Sequence, residues 1–259
     1  MYSKIALSIG GSDSGGGAGI QADLRTFMAL KVHGCSVVTC ITAQNSIEVS
    51  CVQAVENNTL LNQFDTLFSD FDIDALKTGM LLNERIINAT ASKLKTYKIT
   101  KIIDPVMVTR TGSKLLEDSA INAYKKLLLP IADLVTPNNY EANLLSGLKI
   151  NSKEDIENSA RNIISLGAKA VLIKGGGLKD MKGKDFFLDL NGRKEWLLNN
   201  VINTQNTHGS GCTLSAAICG YRALGFEILD SIQKAKLFVE KSLENSYKIG
   251  SGPGPLGHN

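Results

Sequence analysis

Asn206-Thr207-His208-Gly209-Ser210-Gly211-Cys212 stands directly before an apolar, helix-like run over residues 213–224. Two glycines within three residues leave the start of the predicted helix almost free of side chains. Its first backbone N–H groups have no intrahelical partner, and the helix dipole places partial positive charge among them. Such a turn suits an anion with dispersed charge, above all a phosphoryl group in transit. The same field is expected to lower the pKa of the Cys212 thiol below its usual value of about 8.5.

Glycine also occurs where a chain simply turns, so the rest of the sequence has to support this interpretation. Short β-rich segments alternate with amphipathic helices, which predicts an α/β fold with a largely parallel sheet and helices on both faces. The predicted strands cover residues 5–9, 36–41, 101–103, 133–135 and 170–173, with edge or hairpin strands at 48–55, 186–190 and 195–198. The predicted helices cover residues 20–31, 59–68, 84–97, 119–129, 139–145, 153–166, 211–224 and 228–247. The absence of a repeat or linker predicts a single domain over residues 1–259, with 250–255 as an extended tail.

Composition narrows the class of protein. With 43% hydrophobic and 20% charged residues, the chain is typical of a soluble globular protein. A net charge of +3 and an aromatic content of 6%, without a dense Lys/Arg run, argue against nucleic-acid binding. The apolar run at residues 5–9 is too short for a signal-peptide core or a membrane span. Five cysteines without CxxC spacing argue against a disulfide framework or zinc site and favour a reducing cytoplasm.

Polar residues follow the predicted strands, at the edge where ligands bind in a parallel sheet. Asp104 and Glu141 come after neighbouring strands, and two such carboxylates could hold Mg²⁺ through water. Asn138 has an alternative role as a helix N-cap, with Glu141 completing a capping box. Lys174 could neutralise a nucleotide phosphate as a point charge.

Four further side chains are interpreted one by one. Asp23 lies within an apolar helical stripe, so it is either a first-turn carboxylate favoured by the dipole or an inward carboxylate whose polar partner is a ligand, and we favour the ligand. Gln44 carries a donor and an acceptor that could bind an amine beside a ring nitrogen. His208 is expected to be structural, and Lys236 is expected at the surface when judged by composition alone.

The glycine-rich segment 15–19 lacks both a Walker lysine and the acidic residue of a dinucleotide fingerprint. It is expected to let a small flat ligand approach the backbone closely.

Taken together, several motifs resemble those of the hydroxymethylpyrimidine/phosphomethylpyrimidine kinases, the thiamin-biosynthesis branch of the ribokinase-like superfamily. The resemblance runs from Lys4 to about Pro253 and rests on segments 11–23, 43–45, 77–80, 104–107, 136–138, 173–176 and 206–213. It implies a three-layer sandwich with a small β flap, a homodimer, and phosphorylation of 4-amino-5-hydroxymethyl-2-methylpyrimidine and then of its monophosphate. ATP with Mg²⁺ is the implied phosphoryl donor, and a monovalent cation is a further implied cofactor.

The resemblance also implies roles for individual residues. The pyrimidine pocket would be lined by Gly11, Asp23, Gln44, Met80 and Val106. The ATP phosphates and Mg²⁺ would face Asp104, Asn138, Glu141, Lys174 and Lys236. An anion hole would comprise Thr207, Gly209, Ser210 and Gly211, with Cys212 as the catalytic base where the related sugar kinases place Asp.

Two alternatives stay open at the level of sequence. Pyridoxal is also a small aromatic ring with a hydroxymethyl group, and the family is similar to pyridoxal kinases. A module that binds a pyrimidine or nucleotide without turnover is the alternative from another class of protein. The combination of Cys212, Asp104 and Lys174 argues against the second alternative, because a sensor needs no placed base.

Overall fold

The computed structural model describes residues 4–107, 118–178 and 181–258. Within these ranges, nine strands form one sheet in the order β3-β2-β1-β4-β5-β6-β7-β8-β9. The strands are β1 (Ile5–Asp13), β2 (His33–Gln44), β3 (Val49–Ala54), β4 (Ala75–Thr78), β5 (Thr100–Ile103), β6 (Leu134–Val135), β7 (Ala170–Lys174), β8 (Lys184–Asp189) and β9 (Lys194–Leu198). The six strands from β2 to β7 in this order pair in parallel, and β3, β8 and β9 add antiparallel edges.

Helices cover both faces of the sheet, because alternate side chains of each strand point to opposite faces. On β1, Leu7 and Ile9 belong to one core cluster and Ala6 to the other. The Ala6 face packs against α1 (Gly19–Ala29), α7 (Ser210–Ala223) and α8 (Ile228–Glu244). The Leu7 face packs against α2 (Asn57–Phe68), α3 (Glu84–Leu94), α4 (Asp118–Ala123), α5 (Asn139–Ser146) and α6 (Lys153–Ser165). The predicted α/β class with a mostly parallel sheet is thereby confirmed.

The edge strands confirm the small β flap. Segment 48–55 becomes β3, which pairs antiparallel with the last part of β2. Most of β3 is exposed, and so is Ile41 on the paired stretch of β2. The hairpin of β8 and β9 closes the opposite edge, as predicted for residues 186–190 and 195–198.

Three features differ from the sequence predictions. Strand β4 was not predicted, because four residues that include Lys77 give no apolar strand signal, yet it lies fully buried between β1 and β5. The helix predicted over 119–129 is α-helical only at Asp118–Ala123 and continues as a π-helical turn at Tyr124–Leu128 and a 3₁₀ turn at Leu129–Ile131, where Pro130 interrupts it. The predicted tail is held in place: the Gly254 N–H donates to Asn206 and its carbonyl accepts from the His208 N–H.

The assignment of residues 1–259 to one domain stays a prediction, and residues 1–3, 108–117, 179–180 and 259 lie outside the described ranges. Among the described residues, no helix combines the length and apolarity that a membrane span requires.

Candidate active site

The carboxyl ends of the parallel strands meet at one edge of the sheet, where α7 also begins. Asp104 follows β5 there, Lys174 ends β7, and Ser215 lies in the second turn of α7. These three side chains are in contact: the Asp104 carboxylate accepts from Lys174 Nζ at 3.2 Å and from the Ser215 hydroxyl at 2.9 Å. Residues 111 positions apart are therefore joined at the predicted ligand edge.

The turn before α7 is built by glycine. Gly209 is the N-cap residue with a φ of 85°, in the left-handed region, and a Cβ there would overlap the carbonyl oxygen of Gly17. A Cβ built on Gly211 would instead lie 3.6 Å from Lys174 Nζ, so a cation stands beside the bare first turn. The Thr207 carbonyl accepts from the Ser210 N–H at 3.3 Å and shapes the turn. Helix N–H groups and a lysine ammonium around one space suit a phosphoryl group.

Two carboxylates lie buried next to this turn. Asp104 also accepts from the Thr136 hydroxyl at 3.1 Å, while Glu141 accepts from the Asn138 N–H at 2.8 Å. The Glu141 N–H donates in return to the Asn138 side chain, so the predicted capping box is present. Burial raises the pKa of Glu141 to about 7; the Lys174 ammonium opposes this shift and the Asp104 charge adds to it.

The donor set of these two carboxylates fits a hydrated Mg²⁺, which binds oxygen and commonly retains waters. Their oxygens are already engaged by protein donors, so contact through water suits them better than direct coordination. Among the described residues, no cluster of three or more His, Cys, Asp or Glu side chains could hold a metal ion by itself.

Cys212 lies in the first turn of α7 and is partly exposed. Burial of its surroundings raises the pKa of the thiol to about 11, although the nearby Lys77 ammonium and the Gly19 N–H act to lower it. The expectation that the helix field would lower this pKa is therefore wrong. Loss of solvation outweighs the field, because the site also holds the negative charges of Asp23 and Asp104.

Lys77 is a buried residue of this region to which sequence reasoning assigned no role. The sequence around it has no apolar strand pattern, yet its ammonium is buried and donates to both Asp23 oxygens at 3.0 and 3.1 Å. Ser8 completes the group with a hydrogen bond of 2.5 Å to Asp23. The carboxylate raises the pKa of Lys77 against the opposing effect of burial. Burial in turn raises the pKa of Asp23, and the Lys77 ammonium opposes that shift.

This pair changes the interpretation of Asp23. The residue is buried in the middle of α1, not in the first turn, so the dipole alternative does not apply. Its inward carboxylate has a polar partner within the protein, the Lys77 ammonium. Contact of Asp23 with a pyrimidine stays a prediction.

The structure brings together part of the predicted pyrimidine pocket. A Cβ built on Gly11 would come within 2.8 Å of Met80 Cε, so the glycine admits the Met80 side chain against β1. Val106, partly exposed, lies two residues after Asp104. The Gln44 backbone N–H donates to the Ser14 hydroxyl at 2.8 Å, which fastens the end of β2 to the glycine-rich loop.

His208 does more than fill space in its loop. Its Nε2 lies 3.1 Å from Asp13 Oδ2 and 3.3 Å from Gln44 Nε2. Asp13 also accepts from the N–H groups of Gly17 and Ala18 at 3.0 and 2.8 Å. His208 therefore joins the turn before α7 to the glycine-rich loop after β1.

Lys236 is buried, so its expected surface position is wrong. Its ammonium forms an ion pair with Asp185 of β8, and the other Asp185 oxygen accepts from the Gly175 N–H at 3.1 Å. Gly175 follows Lys174 directly. Lys236 thus supports the loop beside the anion-binding turn, and its contact with phosphate stays a prediction.

A doubly wound sheet with a glycine turn, a cation and buried carboxylates at its carboxyl edge defines a small-molecule kinase of the ribokinase-like class. A solved structure of Bacillus subtilis pyridoxal kinase with ADP is similar, with a TM-score of 0.92 and 37% identity over 98% of this chain and 97% of that one. The chain belongs to the phosphomethylpyrimidine kinase family, whose model matches residues 13–257.

Individual relatives agree with this family. The hydroxymethylpyrimidine/phosphomethylpyrimidine kinase of Synechococcus elongatus is 50% identical over 260 residues, which cover 100% of this chain and 98% of the relative. The solved phosphomethylpyrimidine kinase of Clostridium difficile has a TM-score of 0.84 and 36% identity, over 93% of this chain and 99% of that one. The protein is accordingly a phosphotransferase.

Proposed function

We propose that this enzyme phosphorylates 4-amino-5-hydroxymethyl-2-methylpyrimidine and then its monophosphate, with ATP as donor, in thiamin biosynthesis. The observation that carries this proposal is the first turn of α7, which holds Gly211 and Cys212 and where a Cβ on Gly211 would lie 3.6 Å from the Lys174 ammonium. The family and the relative at 50% identity support the choice of substrate. The ADP complex of the similar Bacillus subtilis kinase supports ATP as the donor.

In the proposed reaction the γ-phosphoryl group passes in line from ATP to the hydroxymethyl oxygen, and ADP leaves. The first N–H groups of α7 and the Lys174 ammonium stabilise the charge on the transferred group. Cys212 takes the hydroxymethyl proton, which requires a thiolate, and the fixed Lys77 ammonium favours that form. Because the raised pKa leaves few thiolates at neutral pH, positioning and electrostatics supply more of the rate than the base does.

We propose Mg²⁺ as the metal, held through water by Asp104 and Glu141. Bound there, Mg²⁺ would neutralise charge on the ATP phosphates. The positive charge of the ion would also favour the ionised form of Glu141. Turnover should cease in excess EDTA and return on addition of Mg²⁺; undiminished turnover in EDTA would contradict the assignment.

We also propose a homodimer in the cytoplasm. The exposed apolar side chains of Ile41, Ile47, Val49 and Val52 on the β flap support self-association through that flap. Sedimentation velocity on the wild type and on an Ile41→Lys, Val52→Lys double variant tests it: only the wild type should sediment as a dimer.

A steady-state assay with the pyrimidine, its monophosphate and pyridoxal side by side tests the function. The Gln44 amide can meet the amine and ring nitrogen of the pyrimidine with two hydrogen bonds, whereas pyridoxal leaves part of it unpaired. We expect kcat/KM to favour the pyrimidine by roughly tenfold to a hundredfold, and Gln44→Met to narrow the difference. Equal or better kcat/KM for pyridoxal would replace this proposal with a pyridoxal kinase.

A further inference from the structure

The contacts of His208 fix which of its ring nitrogens carries hydrogen. Asp13 is buried and accepts N–H groups from the glycine-rich loop. Burial alone would raise the pKa of Asp13, but hydrogen bonds from His208, Ala18 and Gly15 hold it below the ordinary value. A carboxylate only accepts hydrogen bonds, so His208 Nε2, at 3.1 Å from Asp13, must be an N–H donor.

This tautomer decides the orientation of the Gln44 carboxamide. An N–H group on His208 cannot accept from Gln44 Nε2 at 3.3 Å, so the two donors would repel. Oxygen and nitrogen of a carboxamide are assigned from their hydrogen-bond partners. Turning the carboxamide by half a rotation places its oxygen toward the His208 N–H, which is then shared with Asp13.

The contact between Thr42 and the other end of the Gln44 carboxamide favours the same orientation. The Thr42 hydroxyl donates to the Ser12 carbonyl at 2.9 Å. It also lies 3.3 Å from the carboxamide atom of Gln44 that is assigned as Oε1 and becomes the nitrogen when the carboxamide is turned. With its hydrogen directed to Ser12, the Thr42 oxygen is free to accept from a Gln44 N–H. In the turned orientation, the Gln44 oxygen accepts from His208 and its N–H group donates to Thr42. In the opposite orientation neither hydrogen bond forms, unless the Thr42 hydroxyl breaks its hydrogen bond with the Ser12 carbonyl.

We propose that His208 is a specificity-determining positioning residue, which holds the Gln44 oxygen toward itself and so fixes one donor and one acceptor for the substrate ring. His208 donates to one lone pair of the Gln44 oxygen, and Thr42 accepts one Gln44 N–H. One lone pair and one N–H of the Gln44 carboxamide then remain for the substrate. That pair complements an exocyclic amine next to an unprotonated ring nitrogen. The proposal rests on the proposed function, because it assigns the ring edge of that substrate.

The ring of His208 is also held from behind. A Cβ on Gly17 would overlap its Cδ2, so the imidazole lies directly against the Gly17 backbone. His208→Phe keeps a flat ring in this position and removes both nitrogens. His208→Gln keeps an N–H donor without the ring.

The test compares two ligands of nearly the same shape by calorimetric titration. One is the 4-amino pyrimidine, and the other is its 4-oxo analogue, whose carbonyl oxygen and ring N–H present the opposite hydrogen-bond pattern. The wild type should prefer the amino ligand by about tenfold to a hundredfold. In His208→Phe the carboxamide can turn, so the preference should fall about tenfold and the 4-oxo analogue should bind more tightly than it does to wild type.

A gain in binding of the 4-oxo analogue cannot arise from a damaged fold. His208→Gln should restore much of the wild-type preference. His33→Phe is the matched control, since His33 is exposed and begins β2, roughly 35 Å along the strand from Gln44. It should leave the preference unchanged.

The outcomes separate this proposal from the proposed function. If His208→Phe weakens both ligands equally and the preference persists, His208 only supports its loop and the proposal is wrong. A wild type without preference between the ligands also overturns it. If wild-type enzyme fails to phosphorylate the amino pyrimidine in a parallel ATP assay, the proposed function fails first and this inference with it.

Discussion

Replacing Gly211 by alanine should separate the anion-binding role of the turn from its structural role. Among the described residues, the atom nearest to a Cβ at this position is Lys174 Nζ at 3.6 Å, which is an ordinary van der Waals distance. Gly211 lies in the first turn of α7 and does not have a positive φ, so its backbone accepts alanine without strain. The folded state should therefore be as stable as wild type or slightly more stable.

Activity should change in the opposite direction. The added methyl group occupies the space between the first N–H groups of α7 and the Lys174 ammonium. Loss of one such donor to a developing anion typically lowers kcat by about 10²–10³-fold, or roughly 3–4 kcal/mol of transition-state stabilisation. Gly211→Val, with a second branch at Cβ, should abolish turnover.

The assay is steady-state turnover with saturating pyrimidine and varied Mg-ATP, alongside thermal unfolding. Gly209→Ala is the structural counterpart, because its left-handed φ of 85° and its overlap with the Gly17 carbonyl should lower the melting temperature. A Gly211→Ala enzyme with wild-type kcat would refute the reasoning. A melting temperature as low as that of Gly209→Ala would show instead that Gly211 maintains the turn.

Further experiments address the ionisable groups of the site. Cys212→Ala should lower kcat by about 10²–10⁴-fold with little change in KM. Because burial raises the pKa of the thiol to about 11, wild-type kcat/KM should rise from pH 7 to pH 9 and that of the variant should not. A variant with the same rise would show that another group is the base. Lys77→Met alone should destabilise the protein by about 3–5 kcal/mol, since it leaves the Asp23 carboxylate buried without a partner. The Lys77→Met, Asp23→Asn double variant should regain stability. Its Cys212 thiol should nevertheless be alkylated more slowly than that of the wild type, as measured by mass spectrometry at pH 9. An unchanged alkylation rate would show that Lys77 has no part in the mechanism. For Glu141, the folded-state pKa of about 7 lies above the ordinary 4.5, so its contribution to stability is present below pH 4.5 and lost as pH rises to 7. The difference in free energy of unfolding between wild type and Glu141→Gln, from urea titrations, should accordingly shift in favour of the variant from pH 4.5 to pH 7, and a constant difference would contradict the assignment.

Periodicity and turn chemistry were sufficient to predict the fold class and the edge at which the site lies. Alternating β-rich and amphipathic segments specify a parallel sheet, and polar residues after each strand, such as Asp104 and Lys174, must then converge. Local spacing also predicted the Asn138–Glu141 capping box, which depends on residues three positions apart. Such features depend on neighbours within one or two turns of chain, which the sequence displays directly.

Partners across the sheet were decided only by the tertiary structure. Asp23 and Lys77 are 54 positions apart, and Lys77 lies on a strand too short and too polar to be predicted. Asp13 and His208 are 195 positions apart. Strand order brings these pairs together, and a sequence does not display strand order. Burial then sets the pKa of Cys212, because the free energy of a charge depends on the solvent and charges that the whole fold places around it.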